Sequence, residues 1–396
     1  MLKTPQNTHN ILHNENLAAA DSIDSMPFCI FTSNAYAAST LESNEHIFHF
    51  SYTQQQGAQG QKLFYNIAQV QSIPDTPYFD MSSPYGYGGY YTNSSDQAFL
   101  QDALCAQAKQ ARAKHIIAEF IRFHPYFAHT RAFEPLLDFF AKERDIVVVS
   151  TDSKTRFAHY SSRLRGKLRK ARQLLSITQS RDVSAFHTLY TQTMERNGAQ
   201  DFYFFSRQYL SNLLSLKDCI MLEARYQGQI VAMGIFLFDN LCGYYHLGAN
   251  APLSLSHNLN AMGALFEAFF ELSAERGLQT CILGGGRSGD SADSLFVFKK
   301  QFATTLIPFY IGGMVYDSAA YNRLSVADSK YFLSYRFKED ISIISMGGGA
   351  EQTFIGIFAR FFLCADFTLP TPILTPLTPL MHIAPTTPKG AAYAAA

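Results

Sequence analysis

The chain has 396 residues, a length that points to two domains, and with 47% hydrophobic and 16% charged residues it can bury a sizeable core, which excludes wholesale disorder. Lys+Arg and Asp+Glu both number 32, so a protein that coats nucleic acid by bulk charge is excluded; residues 1–150 nevertheless carry a net −5 and residues 151–310 a net +5. There are 34 Phe and 22 Tyr but no Trp, so any stacking surface must be built from Tyr and Phe.

Residues 1–25 are polar, rich in Asn and His, and read as a disordered lead without the apolar core of a signal peptide. Strands are expected at 28–32, 46–52 and 62–67, followed by a Pro-, Gly- and Tyr-rich stretch over 72–91. An Ala-rich helix over 96–113, capped by Ser94 or Ser95, leads to a buried strand at 115–121. A second helix at 132–143 precedes the strand 146–149. From Thr151 the order changes to helices at 160–175, 182–196 and 206–215, then a meander of strands at 220–226, 229–238 and 242–247. A helix at 259–277, a strand at 279–283 ending in three glycines, a short helix at 294–302 and a strand at 307–316 complete the pattern. It reads as an α/β (α+β) fold with mixed sheet flanked by helices.

Beyond residue 341 a Pro- and Thr-rich tract reads as a low-complexity appendage. Its apolar run, 353–367, contains Arg360 and Asp366 and is too short for a clean membrane span. The six cysteines form no CxxC pair, which suits free thiols in a reducing, cytoplasmic setting. No His, Cys, Asp and Glu set has metal-ligand spacing, and His46 and His49 stand on opposite faces of a strand, so no metal is expected.

Four segments in this order and spacing resemble the FemAB-like branch of the GNAT superfamily: Asp80-Met-Ser-Ser-Pro-Tyr-Gly-Tyr-Gly-Gly89, Phe120-Ile-Arg-Phe-His-Pro125, Leu189-Tyr-Thr-Gln-Thr-Met-Glu-Arg196 with Tyr245-His-Leu-Gly248, and Leu283-Gly-Gly-Gly-Arg287 with Leu295-Phe-Val-Phe-Lys-Lys-Gln-Phe302. The resemblance covers about residues 75–335. It implies two GNAT-like domains with a cleft between them, here 26–150 plus 311–340 and 151–310, with the strand from Tyr310 returning to the first domain and 331–336 closing the match. It implies transfer of an acyl or aminoacyl group to an amine of a cell-envelope precursor, nucleotide- or lipid-linked, with an amino sugar of a polysaccharide or a peptidoglycan precursor as acceptor. Acyl-CoA or aminoacyl-tRNA would be the donor co-substrate, with no permanently bound cofactor, at the cytoplasmic side or inner face of the membrane. The alternatives are an aminoacyl-tRNA-dependent peptidoglycan cross-bridge transferase and a non-catalytic sugar-nucleotide binding module.

The residues carry their own chemistry. Acyl transfer to an amine passes through an oxyanion that a fixed cation stabilises, and the resemblance assigns this role to Lys299. His246, whose type titrates near neutrality, is the candidate general base. Tyr85 and Tyr87, set among glycines, can stack on a sugar or base while Asp80 accepts a hydrogen bond from the acceptor. Arg122, at a strand end, suits a phosphate or carboxylate, and Arg196, Tyr245, Arg287 and Phe298 complete the candidate binding set. The segment 257–264 has one Gly and no Arg, unlike the pyrophosphate loop of CoA-dependent relatives. Residues 163–172 hold six basic side chains and no acid, a surface for charged tRNA or for peripheral contact with an anionic membrane.

Overall fold

The computed structural model describes residues 29–41, 44–55, 60–199, 203–287, 289–326, 329 and 331–337. The proposed lead, 1–25, and appendage, 341–396, lie outside them. The described residues open with a 3₁₀ turn, Ile30–Thr32, where a strand is expected; Ser33 caps α1 (Asn34–Ser39) at once, so the apolar Phe31 is buried by a turn. β1 (Glu45–Gln55), β2 (Gln61–Ser72), β3 (Phe79–Ser82) and the two-residue β4 (Tyr91–Thr92) follow. Asp96, and not Ser94 or Ser95, caps α2 (Gln97–Ala113), its carboxylate accepting from the Ala98 and Phe99 amides. Then come β5 (Ile116–Arg122) and β6 (Phe139–Ser150).

The helix expected at 132–143 is absent. Pro135 sits within a short 3₁₀ segment, Thr130–Leu136, and from Phe139 the chain is already strand, because it pairs with the glycines 312 and 313 of the last strand. Helices α3 (Ser153–His159) and α4 (Ser162–Leu174) precede a strand that periodicity does not reveal, β7 (Leu175–Ser180), whose side chains are half-buried or exposed. After α5 (Val183–Arg196) and α6 (Arg207–Leu214), the meander forms as expected: β8 (Cys219–Tyr226), β9 (Gln229–Phe238) and β10 (Gly243–Asn250). The rest is α7 (Pro252–Ser256), α8 (Ala261–Glu275), β11 (Thr280–Gly284), α9 (Ser294–Lys300), β12 (Thr305–Val315) and α10 (Ser318–Leu324).

The twelve strands of the described residues form one sheet, in the order β1-β2-β3-β5-β12-β6-β11-β10-β9-β8-β7, with β4 on β2. It is mostly antiparallel; β3–β5 and β10–β11 are parallel. β12 enters between β5 and β6, so the strand that ends the second half of the chain is a central strand of the first. One apolar core spans both halves on one face: Ile117, Ile146, Met221, Tyr244 and Phe309 belong to it together with α5 and α6. The opposite face carries two separate cores, one under α2 around Phe64 and Phe99, the other under α4 and α8 around Phe266 and Phe302. Among the described residues no helix is long and apolar enough to cross a membrane. Of the described cysteines, only Cys105 is exposed; Cys29, Cys219, Cys242 and Cys281 are buried thiols.

Candidate functional site

Three adjacent strands are irregular at one place. β6 bulges at Glu143, where Phe309 pairs with Arg144 but Tyr310 with Lys142. β11 shifts register at Leu283, and β10 does so at His246, between Tyr245 and Leu247. Bulges re-aim side chains and end pairing, and they concentrate beside active sites. β10 and β11 pair only through Gly243–Cys281 and Tyr244–Ile282, so beyond that point the two parallel strands part and leave a notch.

Lys299 spans the notch. Asp293 caps α9 through the Leu295 and Phe296 amides, and this short helix turns Lys299 inward, 6% exposed. Its ammonium donates to the Gly285 carbonyl at 2.9 Å and stands 5.2 Å from the Tyr245 ring of β10. Burial lowers the Lys299 pKa to about 7, the nearby Arg144 charge adds to that effect, and Asp293 opposes it. Gly284 has φ +78°, a conformation L side chains rarely adopt. A Cβ there would sit 3.0 Å from the Tyr87 hydroxyl and 3.5 Å from the Lys299 nitrogen, so the glycine leaves room where tyrosine and lysine converge.

The loop 84–89 forms the opposite wall. Tyr87 is packed edge-on against Phe31 and Phe309, with ring centroids 5.6 and 5.5 Å away. Tyr85 lies 5.4 Å from both the Phe205 and His246 rings, and the Tyr36 hydroxyl donates to its carbonyl. Burial raises the Tyr85 phenol, while Arg122 and Arg144 pull it down; both arginines act the same way on Tyr203, where burial and Tyr85 raise the phenol. Arg122 donates to the Ser83 carbonyl at 3.1 Å and lies over the Phe120 ring at 5.1 Å. The notch thus joins Arg122, Lys299 and the Arg144–Glu143 ion pair to a wall of tyrosines. Chemically it can hold an anionic group and stabilise a developing oxyanion.

His246 is the bulged residue of β10, half-buried, with Nε2 3.2 Å from the Tyr209 hydroxyl. Burial lowers its pKa to about 3, so it is neutral at physiological pH and a weak proton acceptor. Tyr245 faces Lys299 but its ring also packs on Phe266 at 4.9 Å.

Four candidates are placed elsewhere or otherwise engaged. Asp80 is fully buried and ion-paired with Arg336, whose Nε donates to it at 2.6 Å; it locks the closing segment onto β3 and cannot receive an acceptor. Arg196 donates to the Asn250 carbonyl at 2.8 Å, at the far end of β10 from Tyr244. Phe298 packs on Phe266 and Phe302 at 5.8 and 5.7 Å, as part of the core under α8. Arg287 is exposed and reaches Asp293 at 3.4 Å and Ser294 at 2.9 Å, steadying the head of α9.

Sequence reasoning missed Arg144, Glu143 and Tyr203, and it missed a buried chain behind Tyr87. His124 Nδ1 accepts the Tyr126 amide at 3.1 Å, which leaves Nε2–H to donate to the Tyr244 hydroxyl at 2.8 Å. Tyr244 in turn donates to Asp239 at 2.7 Å, and Asp239 also accepts from the Ile30 amide at 2.9 Å. Glu119, on the same strand as Arg122, belongs to a buried hub with Asn66, Tyr90, Gln107 and Tyr316. Among the described residues no group of three or more His, Cys, Asp or Glu is arranged to hold a metal ion. Two surface depressions, of about 390 Å³ along α5 and about 300 Å³ at the ends of β7 and β8, contain none of the residues of the notch.

Residues 158–294 match the family model described as the acetyltransferase (GNAT) domain. The fold is similar to a crystal structure of FemX, with a TM-score of 0.60, 14% identity, and coverage of 79% of this chain and 99% of that one. Further similar structures are L-PGS from Bacillus licheniformis, with TM-score 0.47, 14% identity and coverage of 70% and 86%, and a tandem GNAT protein from the clavulanic acid biosynthesis pathway, with TM-score 0.41, 7% identity and coverage of 74% and 91%. No curated protein matches the chain in sequence. The chain thus shares the fold of FemX, and its residues 158–294 are similar to the acetyltransferase (GNAT) domain.

Proposed function

We propose that the chain transfers an acyl or aminoacyl group to an amine of a nucleotide- or lipid-linked cell-envelope precursor, an amino sugar of a polysaccharide or a peptidoglycan precursor. The observation that carries this reading is the Lys299 ammonium, buried at the parting of β10 and β11 and anchored on the Gly285 carbonyl. The acceptor amine attacks the donor carbonyl, the carbon–nitrogen bond forms, and the carbonyl oxygen becomes an oxyanion beside Lys299. Collapse expels the donor's thiolate or ribose oxygen, which takes the proton lost by the amine. This substrate-assisted route is favoured over His246, whose low basicity makes it a poor carrier of that proton.

Tyr85 and Tyr87 would hold the acceptor ring, with Arg122 on its phosphate or carboxylate. The donor is acyl-CoA or aminoacyl-tRNA. The start of α8 offers little to a CoA pyrophosphate: Asn260 adopts φ +53° without a side-chain cap, and no Arg lies in 257–264. The basic face of α4, where Arg163, Arg165, Arg169 and Lys170 are exposed, would dock charged tRNA or the inner face of an anionic membrane. The test offers acyl-CoA and charged tRNA separately to candidate amine acceptors. Transfer from one donor supports the proposal; tight acceptor binding with transfer from neither replaces it with a binding module.

A further inference from the structure

The bulge of β6 has a consequence for Lys299. In a regular strand Glu143 and Arg144 would point to opposite faces, whereas here they ion-pair with each other, their side chains 3% and 9% exposed. The Arg144 guanidinium donates to the Gly286 carbonyl, and Lys299 donates to the Gly285 carbonyl, so two cations, one from a strand and one from a helix, hold consecutive carbonyls of one turn. The packing is close: a Cβ on Gly285 would lie 2.5 Å from Arg144 Cδ and 3.2 Å from the Asp145 carbonyl.

We infer that Arg144 is a positioning residue for Lys299: by holding the Gly286 carbonyl it fixes the turn on which the ammonium is presented. Its second effect is electrostatic. Facing Lys299 are Arg144 and Glu143 from β6, Asp293 with its partner Arg287 at the head of α9, Tyr245 from β10 and Tyr87 from the loop 84–89. The two phenols stay neutral because burial raises them, Asp293 favours the charged lysine, and Arg144 disfavours it. Arg144 therefore adds to burial in lowering the pH up to which the ammonium persists. The catalytic consequence rests on the proposed oxyanion role; the titration and the order of the turn do not.

The experiment uses the full chain and no substrate. Lysine labelled with carbon-13 is followed by NMR across pH 5 to 10, the Lys299 Cε signal being assigned from its loss in Lys299→Met. Wild type is expected to titrate at about 7. Arg144→Gln should raise the midpoint by about one pH unit, as loss of an adjacent like charge does, while Arg144→Lys keeps it within a few tenths of a pH unit. Amide exchange across 284–287 should accelerate in both variants, since neither side chain can bridge to Gly286 as the guanidinium does. If Arg144→Gln leaves a lone buried carboxylate and fails to fold, the paired change Glu143→Gln with Arg144→Gln removes both charges at once; their opposite effects on Lys299 then largely cancel, and this variant is read by amide exchange across 284–287. An unmoved Lys299 midpoint in Arg144→Gln, or unchanged exchange across the turn in any of these variants that folds, overturns the inference. Failure of acyl transfer in wild type would count against the proposed function only.

Discussion

Replacing Lys299 by methionine should separate catalytic use of this residue from structural use, because the two roles move stability in opposite directions. In the unfolded chain a lysine stays protonated up to about pH 10.4, but in the fold Lys299 gives up its proton at about 7. Its native pKa is depressed, so the unfolded state binds more protons between those values and stability rises with pH across that window. At and below pH 7 the buried charge is a burden of about 5 kcal/mol, because each pH unit separating the two values is worth about 1.4 kcal/mol. Methionine removes the burden and leaves the Gly285 carbonyl without its donor, at about 1–2 kcal/mol. The expected result is a variant a few kcal/mol more stable than wild type at pH 7, with the difference shrinking as pH approaches 10. Turnover should fall about 10²–10³-fold, the effect of removing one oxyanion donor. Urea melts at pH 7 and 10 and steady-state transfer assays read both. Wild-type turnover would remove Lys299 from the mechanism; a variant less stable than wild type at pH 7 would refute the account of its burial.

Other perturbations probe other parts. Asp80→Asn leaves Arg336 buried without its partner and should cost about 3–5 kcal/mol, read by denaturant unfolding; a loss under about 1 kcal/mol would show that the pair does not hold the closing segment. Burial raises Glu119 to about 7, above its unfolded value, so the native state binds more protons and wild type should lose stability between about pH 4.5 and 7. Glu119→Gln should flatten that part of the stability–pH curve, and an unchanged slope would contradict the buried-carboxylate account. Gly89→Ala forces a Cβ to 2.6 Å from the Arg122 carbonyl at φ +79°, so it should destabilise the fold and weaken acceptor binding, read by melting and by KM. His246→Gln should lower kcat/KM less than about fivefold with no change in the acid limb of the pH profile; disappearance of that limb would identify His246 as the base.

Local signals carried much of the fold. The meander β8–β10, the helices α5 and α8 and the strands β5 and β11 follow from period, turn chemistry and caps that neighbouring residues supply themselves. The same holds for Lys299, whose Gly-rich turn and short helix lie within 16 residues of one another in sequence, from Gly284 to Lys299. Other features depend on partners far along the chain. Residues 139–143 become strand because β12 pairs with them across more than 160 positions, and no local propensity encodes that. Asp80 reads as a polar loop residue until Arg336, distant in sequence, pairs with it. Arg144, lost beside an expected helix, becomes part of the notch only through a bulge, and a bulge is set by how two strands register. The sequence by itself determined the order of elements from α5 to β12 and the turn and helix that carry Lys299, since these rest on contacts between near neighbours. The tertiary structure alone decided which charges are held in ion pairs and which face the notch, because burial and pairing depend on what the rest of the sheet brings alongside.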